Sequence, residues 1–163
     1  MHGRFTKPST MPMSVAWKAR LQEMNASYLT DPGLAALHDR LLSYGGEEVA
    51  LTHEEDLQQI LERGVLHKGR SVKPRRVWWS KPISCHQNSA YLYKDNRTVS
   101  PGRFDIVTGW ALSKDGVWRQ HTWVYDNQRK KVVETTVKRV LYYGFHLTPA
   151  EAEKFSRAQR CGW

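Results

Sequence analysis

The chain has 163 residues, 40% of them hydrophobic and 25% charged, the size and balance of one globular domain with a core of its own. Lysine and arginine number 25 against 16 aspartate and glutamate, a net charge of +9, which favours a polyanion, an anionic surface or an acidic substrate as partner. No apolar run is long enough to span a bilayer, and the basic start Met1-His2-Gly3-Arg4 leads into no apolar segment, so neither a spanning helix nor a secretory signal is expected.

A cytoplasmic location is therefore the expectation, and there the two cysteines, Cys85 and Cys161, stay free thiols. No motif calls for a cofactor. Residues 1 to 12, with Pro8, Ser9, Thr10 and Pro12, read as a flexible arm, and residues 13 to 163 as a single α+β domain. The first helix is expected over Ser14 to Met24. Asp31 as cap and Pro32 at the first helical position open a second, with Leu34, Leu37, Leu41 and Leu42 at helical spacing, to about Tyr44 before Gly45-Gly46.

Thr52-His53-Glu54-Glu55 has the spacing of a capping box ahead of Leu57, Ile60 and Leu61, with Gly64 as the stop. From Leu66 the chain turns basic. Lys68, Arg70, Lys73, Arg75 and Arg76 read as a connector, of which Lys73, Arg75 and Arg76 are candidates for anion contact beside a site. Ser84-Cys85-His86-Gln87 is again a capping signature, so Cys85 becomes the first residue of a helix running to about Lys94.

Beyond Ser100-Pro101-Gly102 the apolar period changes from helical to two. Strands are expected at Phe104 to Leu112, Val117 to Asp126, Val132 to Val137 and Val140 to Leu147, an antiparallel meander of about four strands. Thr148-Pro149-Ala150-Glu151 then caps a closing helix to about Gln159.

A thiol at a helix N-terminus is a better nucleophile than one in a core, because free N–H groups and the helix dipole favour the thiolate. His121, in Trp118 to Asp126, can serve as its base, and a two-residue turn at Asn127-Gln128 would set His121 directly opposite Glu134. A four-residue turn would keep the two on one face but diagonal, and an odd count would part them. Asp126 and Asn127 are weaker substitutes for the third role. Gln120, Asn88 and Gln87 are candidate oxyanion donors beside the Cys85 N–H. Cys85, His86, His121, His146 and Cys161 are also zinc-ligand types, but they lack paired ligand spacing.

The succession CHQNSAYLY, IVTGWALS, WRQHTWVYD and VVETT resembles the papain-like and transglutaminase-like cysteine enzymes over residues 82 to 147. Their shared core is a nucleophile helix packed on an antiparallel sheet that bears a histidine and an acid or amide. The resemblance implies Cys85 as nucleophile, His121 as base and Glu134 as third member, with a peptide or other amide-bearing substrate, a thioester intermediate, and hydrolysis or acyl transfer as outcome. A second expectation comes from the basic charge and seven tryptophans: a non-catalytic module for single-stranded nucleic acid or a protein partner.

Overall fold

The computed structural model describes residues 5–68 and 84–159. These form five α-helices and six strands, an α+β fold with a mixed sheet. The helices are α1 (Val15–Asn25), α2 (Pro32–Tyr44), α3 (Leu57–Arg63), α4 (Cys85–Arg97) and α5 (Pro149–Ala158). The strands are β1 (Glu48–Val49), β2 (Val65–Lys68), β3 (Phe104–Leu112), β4 (Val117–Asp126), β5 (Lys131–Val133) and β6 (Leu141–His146). No helix among the described residues is long and apolar enough to cross a membrane.

Local chemistry explains the helix ends that the sequence marks. Asp31 Oδ1 accepts from the N–H groups of Gly33 (2.8 Å) and Leu34 (3.2 Å), and Gly45, at φ 135°, ends α2 where a side chain would be strained. At α5 the capping box is complete: Thr148 accepts from Glu151 N–H, and Glu151 accepts from Thr148 N–H. Residues 5 to 14 have no helix or strand before α1, yet they are laid on the fold. Phe5 meets Tyr44 edge-on, and Met11 N–H bonds Lys114 O at 2.8 Å.

The sheet is not the meander expected of its strands. Its order is β1-β4-β3-β6-β2, and β5 pairs with β4 alone. β5 is three residues long because the chain leaves the ladder at Glu134, so β6 returns to pair with β3 instead of β5. Two short strands escaped the sequence reading. Val65–Lys68, within the expected basic connector, pairs antiparallel with β6, and Glu48–Val49 lies parallel to the start of β4. Both are too short to display a period.

Alternation along the strands sorts the core into two clusters. Ile106, Trp110, Leu112, Trp118, Tyr143 and Phe145 pack with Leu37, Leu41 and Ile60 from α2 and α3. Val107, Ala111, Trp123, Val132 and Tyr142 form the smaller cluster. Trp110, Trp118 and Trp123 are fully buried, each worth about 3 kcal/mol or more of apolar burial, so these three offer no stacking face to a nucleic acid.

Candidate functional site

Cys85 opens α4, but the capping box expected there is not made. Ser84 has φ −110° and ψ 52° and gives no side-chain bond to the helix. The first-turn donors are left to other acceptors, and the thiol is one of them. Burial pushes the Cys85 thiol up; a hydrogen bond and charge from His121, with N–H bonds from Thr122 and His86, outweigh it and bring the thiol below its ordinary range.

The Thr122 donor exists because of how β4 is paired. On the edge of β4 away from β3, β1 covers only Val117 and Trp118, and β5 covers only Val124 to Asp126. Between them no strand among the described residues pairs with the edge. An open edge presents unpaired N–H groups, and the Thr122 N–H, in this gap, turns to the sulfur of Cys85.

His121 lies in the same gap, 4% exposed. Its Nε2–H is shared between Glu134 Oε2 (2.9 Å) and Oε1 (3.0 Å), which leaves Nδ1 for the thiol. Burial pushes His121 down, but the bonds to Cys85 and Glu134 and their charges raise it above the ordinary histidine value. A thiol shifted down beside a histidine shifted up favours the thiolate–imidazolium pair.

Glu134 is 3% exposed and fully engaged. Oε1 also accepts from Thr135 N–H (2.9 Å), Thr136 N–H (2.9 Å) and Thr136 Oγ1–H (3.0 Å), while Oε2 accepts from Tyr142 O–H (2.9 Å). Burial raises the carboxyl, but His121 and these donors hold it below its usual range. The same burial, and then the carboxylate's charge, push the Tyr142 hydroxyl far up, so it remains a donor.

The β4–β5 turn holds four residues, Asn127 to Lys130, the even count that keeps His121 and Glu134 on one face but diagonal. Asp126 Oδ1 caps it by accepting from Gln128 N–H (3.0 Å) and Arg129 N–H (3.1 Å), and Lys130 takes φ 53°. The pairing Val124 with Val133 carries Glu134 to the level of Trp123, on the face of His121 and diagonal to it. The even count preserves the meeting of the two side chains.

Other candidates lie elsewhere. Asp126 pairs with Arg103 at 2.9 Å, and Asn127 Nδ2 donates to Gly102 O at 3.2 Å, so both serve the far end of the hairpin. Asn88 is buried and donates to Thr135 O at 3.1 Å, bracing α4 against the Glu134 segment. Gln87 faces α5 in a small cavity with Ser156 and Gln159. Gln120 Nε2 is committed to His53 O (2.9 Å) and Glu54 Oε2 (2.8 Å). Lys73, Arg75, Arg76 and Cys161 lie outside the described residues. Among the described residues no three ligand-type side chains are grouped to hold a metal.

A cavity of ≈ 400 Å³ is walled in part by His86, His121, Gln120 and Phe155, the two histidines being partners of the Cys85 sulfur. His86 Nδ1 lies 2.7 Å from Thr122 Oγ1, and its ring meets Phe155 edge-on. Burial of the ring and the charge of His121 lower its affinity for a proton.

The chain matches no protein-family model, no curated protein and no solved structure. The chemistry of the site is therefore argued from its own atoms: a thiol on N–H donors, a histidine bonded to it, and a carboxylate held by that histidine and by neutral donors.

One further part of the site was not read from the sequence. His53 and Glu54 were expected inside a capping box, yet α3 begins only at Leu57, and its cap position Asp56 makes no side-chain bond. Glu54 Oε2 accepts from Trp110 Nε1 (3.0 Å) and Gln120 Nε2. These partners are distant in sequence, so no local pattern announces them.

Proposed function

We propose that the protein is a cysteine-dependent hydrolase or acyl transferase of papain-like arrangement, acting on an amide, ester or isopeptide bond through a thioester. The observation that carries this reading is the hydrogen-bonded line from Cys85 through His121 to Glu134. The Cys85 thiolate attacks the carbonyl carbon, forming the C–S bond while the carbonyl electrons move to oxygen. The N–H groups of Thr122 and His86, already turned to the sulfur, are the donors this reading assigns to that oxyanion.

As the tetrahedral adduct collapses, the bond to the leaving nitrogen or oxygen breaks, and His121 gives its proton from Nδ1 to the departing atom. Water or an amine then attacks the thioester carbonyl and passes its proton back to His121, and the thiol is restored. Glu134 holds the Nε2–H throughout, which fixes the tautomer and offsets the imidazolium charge.

Alkylation by iodoacetamide tests the reading in a Cys161→Ser background. The rate of Cys85 modification should stay high at pH values where an ordinary thiol is protonated, with its apparent pKa moving up by about one unit or more in His121→Ala. A profile like that of a free or slower thiol, unchanged in His121→Ala, removes the nucleophile.

A further inference from the structure

The wall of the cavity at His86 and His121 holds more carboxylates than cations. Glu54, Glu55 and Asp56 line it with His86 and His121, and no lysine or arginine does so among the described residues. This opposes the +9 balance of the whole chain, from which an acidic substrate was expected.

Glu54 is fixed in place. Its Oε2 accepts from Trp110 Nε1 and Gln120 Nε2, and its Oε1 from Asp56 N–H at 3.1 Å. All three donors are neutral, so they orient the carboxylate without cancelling its charge. Glu55 makes no hydrogen bond or salt bridge among the described residues. Burial, then the charges of Glu55 and Glu151, raise the Asp56 carboxyl against the smaller opposing pull of Lys154. Crowded carboxylates that outnumber the cations beside them, His121 in the wall and Lys154 near Asp56, present at a cavity large enough for a side chain a field that a cation relieves and an anion worsens.

We propose that this cavity receives a positively charged side chain of the acyl donor, an ammonium or guanidinium group held next to the carbonyl that Cys85 attacks. The inference rests on the nucleophile reading above and names the substrate class for it: basic peptides or amides, with neutral ones slower and acidic ones rejected. Glu54 supplies a rigid anchor, and Glu55 and Asp56 at the mouth draw the cation in.

Three peptidyl acyloxymethyl ketones that differ only in the side chain next to the reactive carbon provide the test, with lysine, norleucine or glutamate at that place. The full chain, in a Cys161→Ser background, is treated with each, and Cys85 adducts are counted by intact mass, with iodoacetamide run in parallel. Second-order rates should fall in the order lysine, norleucine, glutamate, the first two differing by about tenfold. That ratio should shrink as salt screens the field, and should approach one in Glu55→Gln/Asp56→Asn. A lysine-to-norleucine ratio of one or less in the unsubstituted wall, or one indifferent both to salt and to the double substitution, overturns the inference. If iodoacetamide shows the acid-shifted profile while the ratio is one, the nucleophile stands and only the cationic substrate is lost. If Cys85 reacts with iodoacetamide no faster than a free thiol, both fall together.

Discussion

Glu134 has a task that an amide of the same shape cannot perform. One oxygen takes the Thr135 and Thr136 N–H groups and the Thr136 hydroxyl, and the other faces Tyr142 O–H. In Glu134→Gln the amide oxygen can keep the first set, but the NH₂ then meets the Nε2–H of His121. The ring escapes by moving its proton to Nδ1, the nitrogen that should receive the thiol proton. We expect Glu134→Gln to slow iodoacetamide alkylation of Cys85 at neutral pH by at least about tenfold, and to lower stability by about 2 kcal/mol through the donor facing Tyr142 and Nε2. An unaltered rate would mean that His121 does not govern the thiol. The identities of these three residues were legible in the sequence because each sits in a patterned element or at its end. The donors on the sulfur were not, since they are backbone groups and backbone groups leave no residue signature.

At the scale of the elements, the site depends on how firmly α4 is held to the segment after β5. Asn88 supplies that brace through Thr135 O, whereas Ser89, one residue on and fully buried, has no hydrogen-bond partner for its hydroxyl among the described residues. The neighbouring substitutions should therefore differ in sign. Asn88→Ala leaves a buried carbonyl without its donor and is expected to cost about 2 kcal/mol, with the apparent thiol pKa rising as the helix start loosens from His121. Ser89→Ala removes an orphan polar group and improves helix propensity, for a gain of about 0.5 kcal/mol. Urea denaturation with alkylation profiles on both variants checks the pair, and equal losses would contradict the assigned brace. The sequence read the helices and the long hairpin well, since they carry strong periods and caps. It failed at both Thr52 and Ser84, where capping spacing is present but no box is made: α3 starts only at Leu57, and Ser84 makes no side-chain bond to α4. It likewise missed β1 and β2, whose pairing is set by β4 and β6 and not by their own pattern.

Over the whole molecule, charge and proton binding are distributed unevenly, and this has a consequence away from the thiol. His67, stacked on Tyr125 at 4.5 Å, sets its Nε2 3.0 Å from Nε2 of His146, whose Nδ1 bonds Asp105 at 2.9 Å. Burial, and then the charge of His146, lower His67 from 6.5 to about 4. The unfolded chain therefore takes up a proton on this residue below pH 6.5, and the folded chain declines it until about pH 4. Stability that is present above the upper value is lost on acidification through this window, by about 1–2 kcal/mol once the partial exposure of the ring is allowed for. His86 is shifted the same way and adds to the slope, whereas His121, shifted up, opposes it. Substituting His67→Phe isolates one contributor: the ring can still stack on Tyr125, and no proton is bound in either state. Thermal unfolding measured across the window should give a shallower pH dependence for His67→Phe than for the native chain, with the two curves converging in slope above neutrality. Parallel curves throughout would show that His67 is as easily protonated folded as unfolded, and that its packing between Tyr125 and His146 is not tight enough to exclude the charge.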